Sequence, residues 1–289
     1  MDLNGRVPGA TWMRRLLVLF ILALCQCGEP TSSTVGSIRL RIADQPFPYA
    51  VARAVNLTVT AVAIRAVNAG NYQPVRFAPR VFDLIELQNG LTDTVSVASL
   101  PASSYDAIRL TFSHLSVQLV DGRTLTSLDS LADAPVEMAI LSRSPISVKN
   151  KHLVDLVIDF DLSRSLTPVG NPSSVNQITG FVFTPTARIA NLATVGQITG
   201  LAKHNNGTPG VSTDDVSISG LQIAIVSVPS RDTLTVVTDQ QGQYTAFFIP
   251  AGTYTLFASE TDSTREWSGS NIVVTTANPT RQDLITSVP

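Results

Sequence analysis

The sequence predicts an all-β protein in which two β-sandwich domains stand in tandem after an N-terminal export segment. Its 289 residues are enough for two domains that each bury a core. Only 6% of the residues are aromatic, and the abundance of Thr, Val, Ser and Ala favours short strands over helices. Apolar and polar residues also alternate at the two-residue period of strands in one stretch after another.

The sequence pattern of residues 1–26 predicts a lipoprotein signal peptide. Arg6, Arg14 and Arg15 precede an uninterrupted apolar run over residues 16–24, which is too short to span a bilayer. Cys25 and Cys27 are the only cysteines, and a bond between them would close a very small, strained loop. We therefore expect a lipid-attachment cysteine in an exported protein.

At this point the chain resembles bacterial lipoproteins, whose signal ends with an apolar residue three positions before the acylated cysteine. Cys27 fits, with Leu24 three positions earlier, and acyl chains would hold residues 27–36 as a tether on a membrane. Gln26 departs from the small residue usual there and leaves Cys25 as the alternative. An ordinary cleaved signal with two incidental cysteines also stays open. Glu29, in place of Asp, implies the outer membrane.

The charge balance argues against nucleic-acid binding. Removal of residues 1–26 leaves 17 basic and 21 acidic residues, and no basic patch occurs. His114, His152 and His204 lie far apart without the spacing of a transition-metal site. The chain has no Gly-x-Ser-x-Gly motif and no phosphate-binding glycine loop, so we expect a protein that is not an enzyme.

We expect the first domain over residues 35–192. A register slip near Ala61 indicates a bulge, and Asn89-Gly90 indicates a turn. Residues 126–134 are predicted to be a short helix or an ordered loop. Strands are predicted over residues 37–42, 54–67, 81–87, 94–98, 107–112, 115–119, 146–148, 153–165 and 180–189.

The segment 153–165 carries the most distinctive chemistry. One face is apolar and is expected to lie in the hydrophobic core, whereas the other carries Asp155, Asp159 and Asp161 along roughly 20 Å of strand. The simplest interpretation is a solvated face whose charges pair with cations, for which we consider Arg109, Arg164 and Arg188. Capping of a turn by Asp159 or Asp161 is a second interpretation. Binding of Ca²⁺ is a third, although the spacing is not that of an EF-hand, and no other cofactor is implied.

Several motifs of this first domain occur in a consistent order. They are Phe-Asp-Leu-Ile-Glu-Leu-Gln-Asn-Gly at 82–90, Leu-Pro at 100–101 with Tyr105, Asp-Phe-Asp at 159–161 with Ser-Arg-Ser at 163–165, and Phe-Thr-Pro at 183–185 with Arg188. They resemble a family of bacterial lipoprotein domains, domain of unknown function 4382. The resemblance implies an exported, sandwich-like domain and carries no activity.

Residues 196–289 are expected to form the second domain. A Thr-Asp-x-x-Gly-x-Tyr hairpin at 238–244 is followed by Pro-Ala-Gly-Thr-Tyr at 250–254. This pattern resembles the carboxypeptidase regulatory-like, prealbumin-type β-sandwich. Gly242 and Gly252 would supply turn backbone, Asp239 would bind turn amides, and Tyr254 would fill the core.

The sequence leaves more than one function class open. We expect a non-catalytic structural or adhesion module anchored to the membrane, with surface proteins or glycans as partners. The alternative is a carbohydrate-binding module or an accessory subunit of a polysaccharide-handling system. For that alternative Trp267 is a candidate sugar-stacking residue, although a core or rim aromatic is the plainer interpretation. A binding site could also lie in the loop at 203–215.

Overall fold

A computed structural model describes residue 1 and residues 34–45, 51–127, 135–208, 211–259 and 266–286. The chain divides into two compact units, Met1–Thr34 and Val35–Pro289. Nearly all of the first unit lies outside the described residues, and with it the predicted signal peptide, Cys25 and Cys27. Within the second unit the architecture is all-β, as the sequence predicts. No helix among the described residues has the length and hydrophobicity needed to cross a membrane.

The first sandwich consists of two main sheets that share one hydrophobic core. Its strands are β1 (Val35–Asp44), β2 (Ala52–Ala66), β3 (Gln73–Val75), β4 (Arg80–Asp83), β5 (Asp93–Pro101), β6 (Ser103–Leu119), β7 (Thr124–Thr126), β8 (Val136–Val148), β9 (Leu153–Phe160), β10 (Leu166–Val169), β11 (Gly180–Phe183) and β12 (Ala187–Asn191). One sheet has the order β12-β9-β1-β5, with β1 and β9 parallel. The other has the order β3-β2-β6-β7, in which β4 also pairs with β2 and β8 with β6.

Alternation along the strands explains this core. In β1 the side chains of Ile38, Leu40 and Ile42 are fully buried, and the register of the β1–β9 pair places Leu156 and Ile158 beside them on the same face. Phe112 of β6 packs edge-on against Phe160 and Phe183, with ring centroids 5.9 Å apart in both pairs. The predicted apolar face of residues 153–165 is therefore core.

The second sandwich has its own core. Its strands are β13 (Val195–His204), β14 (Val216–Ser217), β15 (Gln222–Ser227), β16 (Thr233–Val237), β17 (Gln243–Pro250), β18 (Gly252–Ser259), β19 (Glu266–Val274), β20 (Thr280–Arg281) and β21 (Leu284–Thr286). One sheet is centred on β13, which pairs with β14, β17, β20 and β21, and the other has the order β16-β15-β18-β19. Asp239 Oδ1 accepts hydrogen bonds from the amides of Gln241 and Gln243, at 2.9 and 2.8 Å, as the turn signature predicts.

The two sandwiches repeat one strand topology. β1 pairs antiparallel with β5 and parallel with β9, and β13 pairs antiparallel with β17 and parallel with β20 and β21. The order β4-β2-β6-β8 of the first sandwich recurs as β16-β15-β18-β19 in the second. The sequence resemblance predicts a prealbumin-type fold for residues 196–289 alone, so the shared topology is a finding of the structure.

Matching residues at the same places support the repeat. Each sandwich begins with Thr-Val-Gly-x-Ile, at 34–38 and at 194–198. A Cβ on Gly36 would lie 2.7 Å from Val148 Cγ1 and 2.2 Å from the carbonyl oxygen of Lys149. A Cβ on Gly196 would likewise lie 2.9 Å from Val274 Cγ1 and 2.0 Å from the carbonyl oxygen of Thr275. The same close approach between the first strand and the end of β8 or β19 explains glycine at both positions.

Several predicted element boundaries are wrong. Residues 81–87 comprise β4 followed by a 3₁₀ turn, Ile85–Leu87, because Asp83 Oδ1 binds the amides of Val55 and Ile85 and ends the strand. The predicted strand 180–189 is two strands that belong to different sheets. Strand 153–165 ends at Phe160, and Leu162–Ser165 forms one helical turn. Most of residues 126–134 lie outside the described part.

Candidate functional site

The most buried charged group of the described chain lies where the two sandwiches meet. Asp159 of β9 and Arg188 of β12 are opposite each other in the strand register, and their side chains form an ion pair in which the carboxylate is 2% exposed. Gln45 Nε2 donates a further hydrogen bond to Asp159 at 3.4 Å. Burial raises the pKa of Asp159 above its ordinary value, and the adjacent guanidinium partly offsets this shift.

Arg188 also donates hydrogen bonds to the backbone of the second sandwich. Its Nη1 donates to the carbonyl oxygen of Phe248 at 2.8 Å, and Nη2 donates to that of Phe247 at 3.1 Å. These carbonyls are available because β17 bulges there: Phe247 and Phe248 together oppose the single residue Gln197 of β13. Phe248 has a φ of +55°, a conformation that is unusual for a bulky residue. The bulge thus presents two backbone acceptors to one guanidinium.

The two phenylalanines of the bulge also hold the first sandwich by packing. Phe248 lies against a buried apolar cluster formed by Ala43, Val157 and Ala190, on the outer face of the β12-β9-β1-β5 sheet. The ring of Phe247 lies over Gly90, where an added Cβ would come within 2.6 Å of a ring carbon. The second sandwich therefore covers part of a sheet face that the sequence predicted to be solvated.

Asp44 adds a second buried carboxylate to this region. It is 3% exposed and accepts hydrogen bonds from the Leu162 amide and from Gln88 Nε2, both at 3.1 Å. Burial raises the pKa of Asp44 well above its ordinary value, and the nearby charges of Asp159 and Asp161 act in the same direction. Sequence reasoning missed Asp44, because a single Asp at a strand end carries no signal of burial.

The three predicted carboxylates have three different environments. Asp155 accepts from Arg39 Nη1 at 3.1 Å and from Arg41 Nε at 2.9 Å. Asp159 pairs with Arg188, one of the three cations considered. Asp161 is 7% exposed and caps the turn Leu162–Ser165, because it accepts hydrogen bonds from the Arg164 amide and the Ser163 hydroxyl.

These environments do not bring the carboxylates into one group. Within the described ranges, no three His, Cys, Asp or Glu side chains lie close enough to hold a metal ion. Calcium binding by Asp155, Asp159 and Asp161 therefore stays a prediction without a supporting contact. Arg109, another cation considered for this face, pairs instead with Glu137 at 3.0 Å.

Trp267 lies on β19 opposite Ala258, packs against the core of the second sandwich, and is half-buried. Its ring covers Gly269, where an added Cβ would come within 2.5 Å of a ring carbon. Phe257, on the neighbouring position of β18, is 47% exposed and faces outward. The sugar-stacking role of Trp267 stays a prediction, and only part of the loop 203–215 is described.

A polar cleft of about 370 Å³ opens beside the Asp159–Arg188 pair, between the two sandwiches. Arg143 of β8 and Asp232 of the second sandwich form an ion pair across it at 2.5 Å. Arg164 and Arg231 also line the cleft. Asp159, Asp161 and Arg164 of the Asp-Phe-Asp and Ser-Arg-Ser motifs thus lie at the junction, which the sequence could not indicate, since part of the lining comes from the second sandwich.

Comparison with known proteins gives one family. The model described as "Domain of unknown function (DUF4382)" matches residues 35–185. No curated protein sequence matches significantly.

Eight of the solved structures that match share 8–11% sequence identity with the chain and superpose with TM-scores of 0.20–0.26. The TIE protein of Bacillus anthracis shares 9% identity (TM-score 0.22), and 95% of this chain aligns with 62% of that one. The minor pilin GBS52 of Streptococcus agalactiae shares 11% (TM-score 0.26), over 87% of this chain and 96% of that chain. The shaft pilin SpaA of Lactobacillus rhamnosus GG shares 9% (TM-score 0.24), over 89% and 98%.

Proposed function

The chain belongs, through residues 35–185, to the family described as Domain of unknown function (DUF4382), and on that premise we propose that it is a non-catalytic structural module of the bacterial surface. In this proposal a lipid on Cys27 anchors the protein, with Cys25 as the alternative, and the outer membrane is the membrane concerned. The two sandwiches follow the anchor in the chain and present their surface to other proteins or to glycans.

The observation that carries the proposal is the use of the buried charged groups at the junction. Arg188 donates to Asp159 and to two carbonyl oxygens of the second sandwich. Asp44 and Asp161 accept from backbone amides. Catalytic acids and bases need to reach a substrate, whereas these groups are bonded to the fold. Their arrangement supports a role in fixing one sandwich on the other.

The anchor supplies the direct test. We expect the full chain, expressed in a diderm bacterium, to pellet with membranes and to incorporate labelled palmitate. Cys27→Ser should abolish the label and release the protein, whereas the matched variant Cys25→Ser should retain both properties. The opposite pattern would move the lipid to Cys25. Unlabelled protein that is released from the cells in all three forms would contradict the lipid anchor.

The structural role has a separate test. Cells that lack the protein should change in surface adhesion or envelope integrity, and a variant with the junction pair removed, Arg188→Met, should fail to restore the wild-type behaviour although it remains anchored. Full restoration by that variant would show that the fixed junction is not needed.

A further inference from the structure

The cleft between the sandwiches contains more positive charge than its ion pairs use. Arg143 is paired with Asp232, and Arg188 with Asp159. Arg164 and Arg231 are exposed, and neither has a carboxylate partner among the described residues. Four guanidinium groups therefore line one cleft, and two of them are available to a ligand.

The local backbone directs these two arginines to the cleft. Arg164 lies in the helical turn that Asp161 caps, so the turn is fixed where the first sandwich borders the cleft. Arg231 has a φ of +61° in the loop between β15 and β16, next to Asp232. The turn that joins β15 to β16 holds Arg231 there, since the Arg231 amide donates to the carbonyl oxygen of Ser227 at 2.9 Å.

Arg188 gives a second, independent indication. It borders the same cleft, and its Nε is buried without an acceptor among the described residues. Gln45 Oε1, which belongs to another residue lining the cleft, is likewise buried and unpaired. A buried donor or acceptor without a partner is costly, so a molecule that binds here has hydrogen bonds to gain.

The mixed charge of the cleft limits the type of anion. Asp159, Asp161 and Asp232 line it together with the arginines, and Thr186 and Thr233 add hydroxyl groups. Four arginines against three carboxylates give the lining a net charge of +1, which a singly charged group neutralises and a dianion such as phosphate would overcompensate. Asp232, whose side chain is 38% exposed, is placed to accept hydrogen bonds from ligand hydroxyls, while guanidinium groups bind a carboxylate in bidentate fashion. The chemistry therefore suits a hydroxyl-rich monocarboxylate.

We propose that the cleft between the sandwiches binds the uronic acid residues of an acidic polysaccharide, with Arg164 and Arg231 as the residues that recognise the carboxylate. This assigns a ligand class to the carbohydrate-binding alternative that the sequence left open. It does not depend on the lipid anchor, so a Cys27→Ser protein that leaves the membrane should still bind.

Calorimetric titration of the full chain in detergent tests the proposal, with trigalacturonate, neutral galactotriose and inorganic phosphate as probes. We expect trigalacturonate alone to bind measurably. Arg164→Ala/Arg231→Ala should weaken its binding at least roughly tenfold. The matched control Arg53→Ala/Arg76→Ala removes the same charge from exposed residues outside the cleft and should bind as the wild type does.

The other outcomes would overturn the proposal. Absence of trigalacturonate binding, or equal binding of the neutral trimer, contradicts recognition of a carboxylate. Phosphate that binds as tightly as trigalacturonate indicates a general anion site and not a uronic acid site. Equal loss in the cleft and control variants indicates non-specific attraction. Thermal melting of each variant establishes that a loss of binding does not result from unfolding.

Discussion

Tyr105 and Tyr254 make the same hydrogen bond in the two sandwiches: each hydroxyl donates to the carbonyl oxygen of a proline four residues earlier. The distances are 2.9 Å to Pro101 and 2.7 Å to Pro250. Both tyrosines are almost fully buried, at 2% and 4% exposure. This bond, which resembles the tyrosine corner of other sandwiches, fixes the crossing from one sheet to the other.

Loss of either hydroxyl should therefore have the same consequence. We expect Tyr105→Phe and Tyr254→Phe each to lower the free energy of unfolding by about 1 kcal/mol, because the carbonyl loses its donor while the ring still packs. Urea unfolding measures the change. Tyr72→Phe is the control, because within the described ranges the hydroxyl of Tyr72 makes no hydrogen bond, and its ring contacts the guanidinium groups of Arg65 and Arg109. An effect of the control as large as that of the two corner variants would contradict a specific role for the corner bonds.

The contact between Phe247 and Gly90 gives a second prediction. Gly90 has a φ of +79°, and an added methyl group would meet the Phe247 ring, so Gly90→Ala should destabilise the protein by about 2 kcal/mol or more. Gly122 has a φ of +91° but no atom within 4 Å of its Cβ position. Gly122→Ala should cost about 1 kcal/mol from the backbone alone. Equal losses in a chemical denaturation series would show that the junction contact is not needed.

The Asp159–Arg188 pair gives a third prediction. Arg188→Met should cost about 3 kcal/mol, because a buried carboxylate and two carbonyl oxygens lose their donor. Asp159→Asn in the same chain should recover part of this loss, since the uncompensated charge is removed. In the control Arg39→Met, Asp155 keeps Arg41 as its partner, so the cost should stay below about 1 kcal/mol. A double-mutant cycle without coupling between positions 159 and 188 would contradict the buried pair.

The buried carboxylate of Asp44 gives a pH dependence. Its pKa is raised in the folded state, so the folded protein binds the proton more tightly than the unfolded chain does. The protein therefore loses stability as the pH rises from the ordinary pKa of Asp through the raised pKa. Asp44→Asn should therefore gain stability relative to the wild type as the pH rises from about 4 to 8.

Asp121 provides a control of opposite sign. Hydrogen bonds from Arg123 lower the pKa of this exposed carboxylate. Its contribution is present above the ordinary Asp pKa and is lost as the pH falls through the lowered value, so Asp121→Asn should lose stability relative to the wild type at neutral pH. Urea midpoints measured across the pH range compare the two variants. A flat difference for Asp44→Asn would show that its pKa is ordinary in the fold.

The sequence predicted the parts of the fold that local pattern controls. The alternation of Ile38, Leu40 and Ile42, and the register slip near Ala61 in β2, both appear in the structure because one sheet face must be buried. Asn89 and Gly90 both have positive φ, as an Asn-Gly turn predicts.

The junction could not be predicted in the same way. Residues 153–165 alternate as a half-buried strand would, and nothing in that pattern shows that Phe248, almost ninety positions later, covers the other face. The exchange of sheet between β11 and β12 is likewise a matter of tertiary packing. One signal was available, however: the repeated Thr-Val-Gly-x-Ile and Pro-Ala-x-x-Tyr segments would have revealed the shared topology of the two sandwiches.

The parallel pairing of β13 with β21, the first and last described strands of the second sandwich, has a mechanical consequence. β13 leads the chain in, and β21, hydrogen-bonded beside it in the same direction, leads it out. Tension between these two ends pulls neighbouring strands in opposite directions along their length. The hydrogen bonds that join them then carry the load together, whereas antiparallel end strands would separate one bond at a time. The sandwich is thus arranged to resist stretching along the line of the chain.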